Sequence, residues 1–160
     1  MSGIELDRSL QLRRAKPQDM DLLYRWANDD TVRANAFHTE KIPYEHHVQW
    51  FQKMMADASV CQYILYDGDL AVGQIRLTAG NDGEALIDYS IASLYRGKGY
   101  GTSLLCLLCQ KLDTDKISNV TKLIGQVKYQ NQASARVFEK SGFHKTKLPE
   151  YIQYEKERSR

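Results

Sequence analysis

The chain has 160 residues, of which 42% are hydrophobic and 26% charged, and a formal net charge of +2. This length fits one domain over residues 1–160, and a domain of that size is stable without a disulfide or metal staple. The composition excludes intrinsic disorder, no apolar run predicts a membrane span, and the mixed charges of the first eight residues predict no secretory signal. The near balance of charge does not indicate a nucleic-acid partner, and we expect the basic residues at 156–160 to be a solvated end.

The cysteines indicate a reducing environment and no metal. Cys61, Cys106 and Cys109 are odd in number, which favours free thiols and a cytoplasmic location. Cys106 and Cys109 have the CxxC spacing, but no second ligand pair accompanies them and they fall inside a leucine-rich helical pattern. We interpret them as small buried packing residues. The four histidines lack any spacing typical of a metal centre, so no metal is predicted.

The first third of the chain predicts a strand and two helices. Residues 9–15 alternate between apolar and polar side chains, as in a half-buried strand. Pro17 predicts the first turn of a helix, because proline is tolerated there, and the apolar face of this helix ends at Asn28. A second helix is predicted from Pro43 onward, because the apolar residues after it recur at helical spacing.

The pattern then changes to a period of two, which is typical of strands. Residues 62–66 and 71–77 are apolar runs separated by Asp-Gly-Asp at 67–69, which is a hairpin-turn signal. Residues 85–91 alternate as a third strand after a glycine-rich turn. These three strands predict an antiparallel meander.

The last third predicts a helix, a strand, a helix and one last strand. The first of these helices runs from Gly99 to about Lys111, with its leucines on the buried side. The later elements are expected at Lys122–Val127, Gln132–Lys140 and residues 151–154. The fold class is therefore mixed α/β, an antiparallel meander followed by a helix-strand-helix-strand half around one sheet.

Three alternating glycines, Gly97, Gly99 and Gly101, lie between the third strand and the leucine-rich helix. Glycines there allow positive φ angles and let the backbone approach a ligand. The helix start offers amide groups and the positive end of a dipole, and Arg96 and Lys98 add positive charge. The spacing differs from the Rossmann and Walker phosphate loops. We therefore predict a phosphate or pyrophosphate site of another kind. The alternative is that the glycines serve only to form the turn between the strand and the helix.

At this point the residues resemble a known family. Residues 96–101, RGKGYG, resemble the [Q/R]xxGx[G/A] acyl-CoA pyrophosphate loop of the GCN5-related N-acetyltransferase (GNAT) family. Residues 131–143, NQASARVFEKSGF, resemble that family's N-x-x-[AS]…[YF]-E-K-x-G-F segment. The resemblance covers nearly the whole chain in element order. It implies the GNAT fold, with a V-shaped opening in the sheet, and acetyl-CoA as the cofactor.

The resemblance also implies roles for individual residues. The strand end at Ile91 would pair with the pantetheine arm, and Asn131 would contact the pantetheine or the distal part of the cofactor. Lys140 or Arg136 would reach the 3′-phosphate, with a solvated helix face as the alternative for both. The residues whose amides would hold the pyrophosphate are Arg96, Gly97, Lys98, Gly99, Tyr100, Gly101 and Thr102.

Acetyl transfer to an amine requires a group that removes a proton from the ammonium. Asp88, on the strand leading into the glycines, is the first candidate, and its side chain is expected on the face opposite Ile87 and Tyr89. Glu84, at the start of the same strand, is the second. A solvated sheet face is the alternative role for Asp88.

The departing thiolate also benefits from a proton donor. The family often uses a tyrosine in the last helix, and the matching position here is Phe138, which has no proton to give. Either the thiolate leaves unaided, or Tyr129, Ser134 or Tyr151 replaces the tyrosine, and Phe138 packs in the core.

The first two helices indicate the acceptor. Residues 25–33 and 42–51 resemble two branches of the family, the N-acetyltransferases of nucleotide-linked amino sugars in pseudaminic-acid-type pathways and the ribosomal-protein N-terminal acetyltransferases. The pattern H-x-x-W-F in the second segment favours the sugar branch. Arg33 would then pair with a diphosphate, His47 would hydrogen-bond it, and Trp50 would stack on a base or sugar. A core position for Trp50 and a surface position for Arg33 are the alternatives.

The sequence thus predicts an acetyl-CoA-dependent N-acetyltransferase that acts on a small-molecule primary amine, with an amino sugar or nucleotide-linked amino sugar as the acceptor. The alternatives are a ribosomal-protein-type N-terminal acetyltransferase and a non-catalytic acyl-CoA-binding protein, the latter because of Phe138. No nucleic-acid or membrane partner is predicted. A homodimer through the last strand, residues 151–154, is expected by analogy of fold alone.

Overall fold

A computed structural model describes residues 9–158. Residues 1–8, which carry the prediction of no secretory signal, lie outside the described part, as do residues 159 and 160, so the predicted domain of 1–160 extends past it at both ends. The strands are β1 (Leu10–Arg14), β2 (Val60–Asp67), β3 (Leu70–Ala79), β4 (Glu84–Ile91), β5 (Lys122–Val127), β6 (His144–Lys147) and β7 (Ile152–Glu157). The helices are α1 (Met20–Ala27), α2 (Asp30–Asn35), α3 (Tyr44–Ala56), α4 (Tyr100–Thr114) and α5 (Gln132–Lys140), with short 3-10 turns at Pro17–Asp19 and Ser93–Tyr95.

The strands form one mixed sheet in the order β1-β2-β3-β4-β5-β7-β6, which confirms the predicted fold class. β4 pairs with β3 along its whole length, up to Ile91 opposite Gly73. Its parallel pairing with β5 ends much earlier, at Ile87 opposite Gly125. Residues 88–91 therefore extend beyond the last β5 pair, and the two strands diverge. This divergence is the predicted V-shaped opening.

Helices cover the two faces of the sheet unequally. α4 and α5 pack on one face, where Leu104, Leu105, Leu108 and Leu112 are buried as predicted. α1 and α3 lie on the other face, where a smaller apolar cluster is formed by Leu23, Phe51, Met54 and Ile64. Because strand side chains alternate, Ile87 and Tyr89 join the α4/α5 core, whereas Asp88 projects to the α1/α3 face, as predicted.

Two elements were not predicted. Helix α2 begins where the polar residues after Asn28 had indicated a break, because the Asp29 carboxylate accepts a hydrogen bond from the Val32 amide and caps a new helix. All four residues of strand β6 are exposed and show no apolar alternation, yet the strand pairs with β7. β7 therefore lies between β5 and β6, so it has no free edge through which the expected homodimer could pair.

Two burial predictions also need correction. Cys106 is exposed, because it lies on the side of α4 away from the buried leucines, whereas Cys109 is half-buried. The basic end is not simply solvated. Arg158 Nη1 donates hydrogen bonds to the carbonyls of Ile117 and Val120, at 2.6 and 2.7 Å, and so fastens the connection between α4 and β5.

Candidate active site

The loop of residues 96–101, here called the glycine loop, has an open backbone surface. Gly97 and Gly99 have φ angles of +78° and +86°, and a Cβ at either position would meet nothing within 4 Å. Both glycines thus allow a left-handed turn that leaves space in front of the backbone. Gly101 has another role, since a Cβ there would lie 3.1 Å from Val137 Cγ2. It lets α4 pack closely on α5.

The loop leads directly into α4, a helix of 15 residues. The first amides of such a helix, including those of Gly101 and Thr102, have no acceptor within the helix, and they point out of its positive end. Lys98 is exposed beside them. The Tyr100 hydroxyl instead donates to Asp67 Oδ2 at 2.5 Å, which fixes α4 to the turn between β2 and β3. An anionic diphosphate fits this cradle of amides and positive charge.

Arg96 does not point its side chain at that cradle. Its Nε donates to the Ile91 carbonyl at 3.0 Å, and its Nη2 donates to Asp29 Oδ2 at 2.8 Å. The guanidinium therefore joins the glycine loop to the end of β4 and the start of α2. Burial works to raise the pKa of Asp29, but hydrogen bonds from Arg96 and the Val32 amide outweigh it and hold that pKa below its usual range.

A cavity of about 280 Å³, here called the β4-side cavity, adjoins the end of β4. Its walls include Ser90 and Ile91 from the strand, Trp26 from α1, and Asp29 and Arg96. Ile91 thus lies where the resemblance expects it, at the entrance of the V. Its pairing with a pantetheine arm stays a prediction.

A second and larger cavity, of about 550 Å³, lies at the end of β5 and is here called the β5-side cavity. It is lined by Phe37, Gln126, Lys128, Tyr129, Gln130, Glu150 and Tyr151. The Phe37 and Tyr151 rings make an edge-to-face contact at 5.5 Å. Most of these residues escaped the sequence analysis, because they come from separate segments and no local motif joins them.

Of the two predicted carboxylates, Asp88 lies at the V and Glu84 does not. Asp88 is the first residue of β4 beyond the last pair with β5, so it lies at the apex of the V, with its side chain 57% exposed. Its Oδ2 lies 3.3 Å from Arg76 Nη2, and its Oδ1 accepts from Gln74 Nε2 at 3.1 Å. Glu84 lies at the opposite end of β4, roughly 23 Å along the strand from Ile91, and pairs with Lys122. The structure does not bring Glu84 to the V.

Phe138 is a core residue, as the sequence analysis allowed. Only 2% of it is exposed, and its ring stacks on Tyr154 at 5.2 Å. A Cβ added to Gly125 would overlap Phe138 Cζ, so the tip of the ring presses against the backbone of β5.

Three hydroxyl groups were candidates to replace the missing tyrosine. Ser134 Oγ lies 3.0 Å from the Tyr89 hydroxyl, to which it donates, and both groups lie between β4 and α5. Burial raises the pKa of Tyr89, and its hydrogen bond with Ser134 opposes that shift. The Tyr129 hydroxyl instead donates to the Leu148 carbonyl at 2.6 Å, so it anchors the chain before β7. Tyr151 lies in the wall of the β5-side cavity.

Arg33 was predicted to bind a diphosphate, but two of its three guanidinium nitrogens, Nε and Nη1, donate to main-chain carbonyls. Its Nε donates to the Ala27 carbonyl at 2.7 Å, and its Nη1 donates to the carbonyls of His38 and Glu40 at 2.9 and 3.2 Å. Arg33 therefore shapes the connection between α2 and α3, and the structure does not direct these donors toward a ligand.

His47 is only 2% exposed, and its Nε2 lies 2.9 Å from the Met20 carbonyl, so it fastens α3 to the start of α1. Burial lowers the pKa of its imidazole. The His47 side chain thus lies buried between α3 and the start of α1. Trp50 is exposed, and the Arg76 guanidinium lies over its ring, 4.9 Å from the centroid. Trp50 alone of the three predicted substrate residues keeps a face open to solvent.

The remaining predicted cofactor residues lie on α5. The Asn131 side chain accepts from the Ser134 amide at 3.2 Å and caps the helix, while Arg136 and Lys140 are exposed on its surface. Within residues 9–158, no group of three or more metal-ligating side chains comes together, and no helix is long and apolar enough to span a membrane.

Comparison with known proteins identifies the family. The model of the acetyltransferase (GNAT) domain matches residues 9–144. No curated protein matches the chain. Among solved structures, the spermidine N-acetyltransferase of Vibrio cholerae, in complex with CoA and spermine, is 17% identical with a TM-score of 0.81, over 95% of this chain and 97% of that one. The aminoglycoside acetyltransferase AAC(6′)-Ib, in complex with paromomycin and acetyl-CoA, is 22% identical with a TM-score of 0.77, over 94% of each chain. A ribosomal-protein α-N-acetyltransferase in complex with CoA is 14% identical with a TM-score of 0.75, over 96% of this chain and 97% of that one.

The fold and the glycine loop thus define a transferase that uses an acyl-CoA donor. The chain belongs to the GNAT acetyltransferase family, because the family model matches most of its length. It is an acetyl-CoA-dependent N-acetyltransferase.

Proposed function

We propose that this N-acetyltransferase acetylates the amino group of a small amino sugar bound in the β5-side cavity. The observation that carries the proposal is the lining of that cavity. Phe37 and Tyr151 offer aromatic surface, which suits the apolar faces of a sugar ring. Gln126 and Gln130 offer amide donors and acceptors, which suit its hydroxyl groups.

The charge of the cavity favours an acceptor with one amino group over a polyamine. Among the described residues that line this cavity, Glu150 is the only carboxylate, and Lys128 balances its charge. A polyamine with several ammonium groups would need more than one carboxylate to replace its hydration. Glu150 alone suffices for the ammonium of an amino sugar.

A nucleotide-linked amino sugar is the finer form of the proposal. Because Nε and Nη1 of Arg33 already donate to main-chain carbonyls, we assign the phosphates to Lys128, which lines the β5-side cavity. Lys128 Nζ donates to the Ala34 carbonyl at 3.2 Å, which occupies one of its three hydrogens and leaves capacity for a phosphate oxygen.

The reaction requires two proton movements, to which we assign residues of the V. When bound, acetyl-CoA supplies a thioester that the amine attacks. Asp88 would accept the proton that the ammonium loses, because its carboxylate lies exposed at the apex of the V. Ser134 donates a hydrogen bond to the Tyr89 hydroxyl, which leaves the Tyr89 proton to pass to the departing thiolate, with Ser134 stabilising the phenolate that results. We assign the cofactor diphosphate to the amides of the glycine loop and α4.

We also propose a cytoplasmic location and a homodimer. The three free thiols of Cys61, Cys106 and Cys109 support the first. The second needs an interface other than β7, which is paired on both edges.

The test is release of free thiol from acetyl-CoA by the full chain, with four kinds of amine as acceptors. These are free amino sugars, nucleotide-linked amino sugars, polyamines, and peptides with free N-termini. We expect kcat/KM for at least one kind of amino sugar to exceed that for polyamines and peptides by tenfold or more, about 1.4 kcal/mol. A preference for nucleotide-linked over free sugars would support the finer form. A preference for peptides would establish N-terminal acetylation instead, and a preference for polyamines would likewise refute the sugar proposal.

A variant locates the acceptor. Glu150→Gln removes the charge that we pair with the ammonium, and we expect the KM for the amine to rise about fivefold, the equivalent of ~1 kcal/mol. Glu45→Gln is the matched control, because Glu45 is exposed on the first turn of α3 and lines neither cavity. Equal KM values for the two variants would mean that the amine binds elsewhere.

A further inference from the structure

We propose that two buried glutamines, Gln62 and Gln74, are positioning residues that hold the Asp88 carboxylate in one orientation at the apex of the V. The inference rests on the proposed role of Asp88 as the proton acceptor. It assigns a function to two side chains that no motif of the family resemblance includes.

The first argument is their burial. Among the described residues, the buried polar side chains are His47, Gln62 and Gln74, and the last two are 3% and 7% exposed. Burying an amide is costly unless its hydrogen bonds are replaced. An apolar side chain would fill either strand position without that cost. Two glutamines side by side on β2 and β3 therefore call for a role beyond packing.

The second argument is the direction of the hydrogen bonds. Gln62 Nε2 donates to Gln74 Oε1 at 2.8 Å, which makes that oxygen the acceptor and turns the Gln74 amide nitrogen the other way. Gln74 Nε2 then donates to Asp88 Oδ1 at 3.1 Å and to Ser90 Oγ at 3.3 Å, so both of its hydrogens are used. A flipped Gln74 would place its oxygen against the carboxylate. Gln62 therefore fixes the orientation in which Gln74 can hold Asp88.

The third argument is the position of the carboxylate itself. Arg76 Nη2 lies 3.3 Å from the other oxygen, Oδ2, and its guanidinium lies over the Trp50 ring, which restrains it. The carboxylate is thus held from β3 at both oxygens, while more than half of the Asp88 side-chain surface stays exposed. An exposed aspartate without such partners samples several rotamers. A change of rotamer would move the carboxylate, and a catalytic group displaced by about 1 Å can lower the rate by up to ~100-fold.

The test compares Gln74→Met, which keeps the volume and removes both donors, with Gln62→Met, which removes only the group that orients Gln74. We expect Gln74→Met to lower kcat by roughly 10- to 100-fold, with the KM for the amine and the Kd for acetyl-CoA changed less than about twofold. Gln62→Met should lower kcat by a smaller factor in the same pattern. Gln11→Met, at an exposed position on β1, controls for the exchange of glutamine for methionine in this sheet.

A double variant separates positioning from general structural damage. In an Asp88→Ala background, Gln74→Met should change the residual kcat less than about twofold, because the group that it positions is gone. The same loss of kcat in both backgrounds would overturn the inference, as would an unchanged kcat in Gln74→Met. If Gln74→Met fails to fold, Gln62→Met decides, and an unchanged kcat there overturns the inference.

The same variants distinguish two outcomes: that the glutamines do not position Asp88, and that Asp88 is not the proton acceptor. If Asp88→Ala retains full activity, Asp88 is not the proton acceptor and both statements fall. If Asp88→Ala is inactive while Gln74→Met and Gln62→Met keep the normal kcat, only the positioning role is refuted.

Discussion

Replacing Phe138 with tyrosine would restore the hydroxyl that the family resemblance places in the last helix, and we expect it to lower stability without raising the rate. The ring lies in the core between β5 and β7, stacked on Tyr154 and 5.0 Å from Phe143. Its tip presses against the backbone at Gly125. A hydroxyl on Cζ would therefore be driven into the backbone of β5 at Gly125.

The size of the effect follows from two costs. Forcing an extra atom into a close-packed core costs about 1–3 kcal/mol, and a buried hydroxyl without a partner costs about 1–3 kcal/mol more. Their sum, about 2–6 kcal/mol, corresponds to a fall in Tm of roughly 4–24 °C for a chain of this length. The rate should not rise, because the proposed proton source is Ser134 with Tyr89.

Thermal unfolding of the full chain and thiol release under saturating substrates measure the two outcomes. Phe37→Tyr is the matched control, because Phe37 is 51% exposed and a hydroxyl there meets solvent, so its Tm should change by no more than about 2 °C. An unchanged Tm together with a higher kcat for Phe138→Tyr would refute the reasoning. It would show that the ring can turn its hydroxyl into the V, and the assignment of Ser134 would lose its basis.

Three further predictions concern the loop and the stability of the fold. Gly99→Ala puts a Cβ into the cradle at a positive φ, which costs the backbone ~1–2 kcal/mol. We therefore expect the Kd for acetyl-CoA, measured by calorimetry, to rise about tenfold or more. An unchanged Kd would place the diphosphate elsewhere. Hydrogen bonds from Ser9 and Tyr100 hold the pKa of Asp67 below its ordinary 3.8, so its stabilisation is present above that pH and is lost as pH falls through the lowered pKa. Asp67→Asn should therefore be less stable than the unaltered chain at pH 7 and lose less stability below about pH 4, as urea unfolding would show; parallel curves would contradict this. Arg158→Ala should lose about 1.5–3 kcal/mol in the same assay, because the side chain is 12% exposed and donates to two carbonyls, whereas a loss under about 0.5 kcal/mol would mean that water replaces it fully.

The elements that the sequence predicts well are those whose signals are local. β5 and α5 lie at the predicted bounds, because an apolar strand pattern defines one and a capping residue with helical spacing defines the other. α2 has only six residues, and its cap at Asp29 resembles a loop signal. β6 has four exposed polar residues, and its pairing is decided by β7. Neither element carries a hydrophobic pattern.

The same distinction holds for the site. The glycine loop is predictable, because a turn and a helix start are formed by consecutive residues. Arg33 and His47 contact main-chain carbonyls that only the tertiary structure brings near them, so the sequence could not predict these contacts. The β5-side cavity combines segments from residue 37 to residue 151. One sequence signal could have indicated Gln62 and Gln74. Each is a polar residue within a largely apolar strand segment.

The way in which α2 is fastened has a consequence for how such an enzyme can change its acceptor. Lys128 and Gln130 both donate to the Ala34 carbonyl, and Arg33 also grips only carbonyls. Because these hydrogen bonds are accepted by main-chain oxygens, they do not depend on which side chains the accepting residues carry. Of residues 34–38, Phe37 lines the β5-side cavity, so substitutions at this position would change the wall proposed to face the amine while the scaffold beneath it stays in place. Directed evolution of acceptor preference should therefore start at this position.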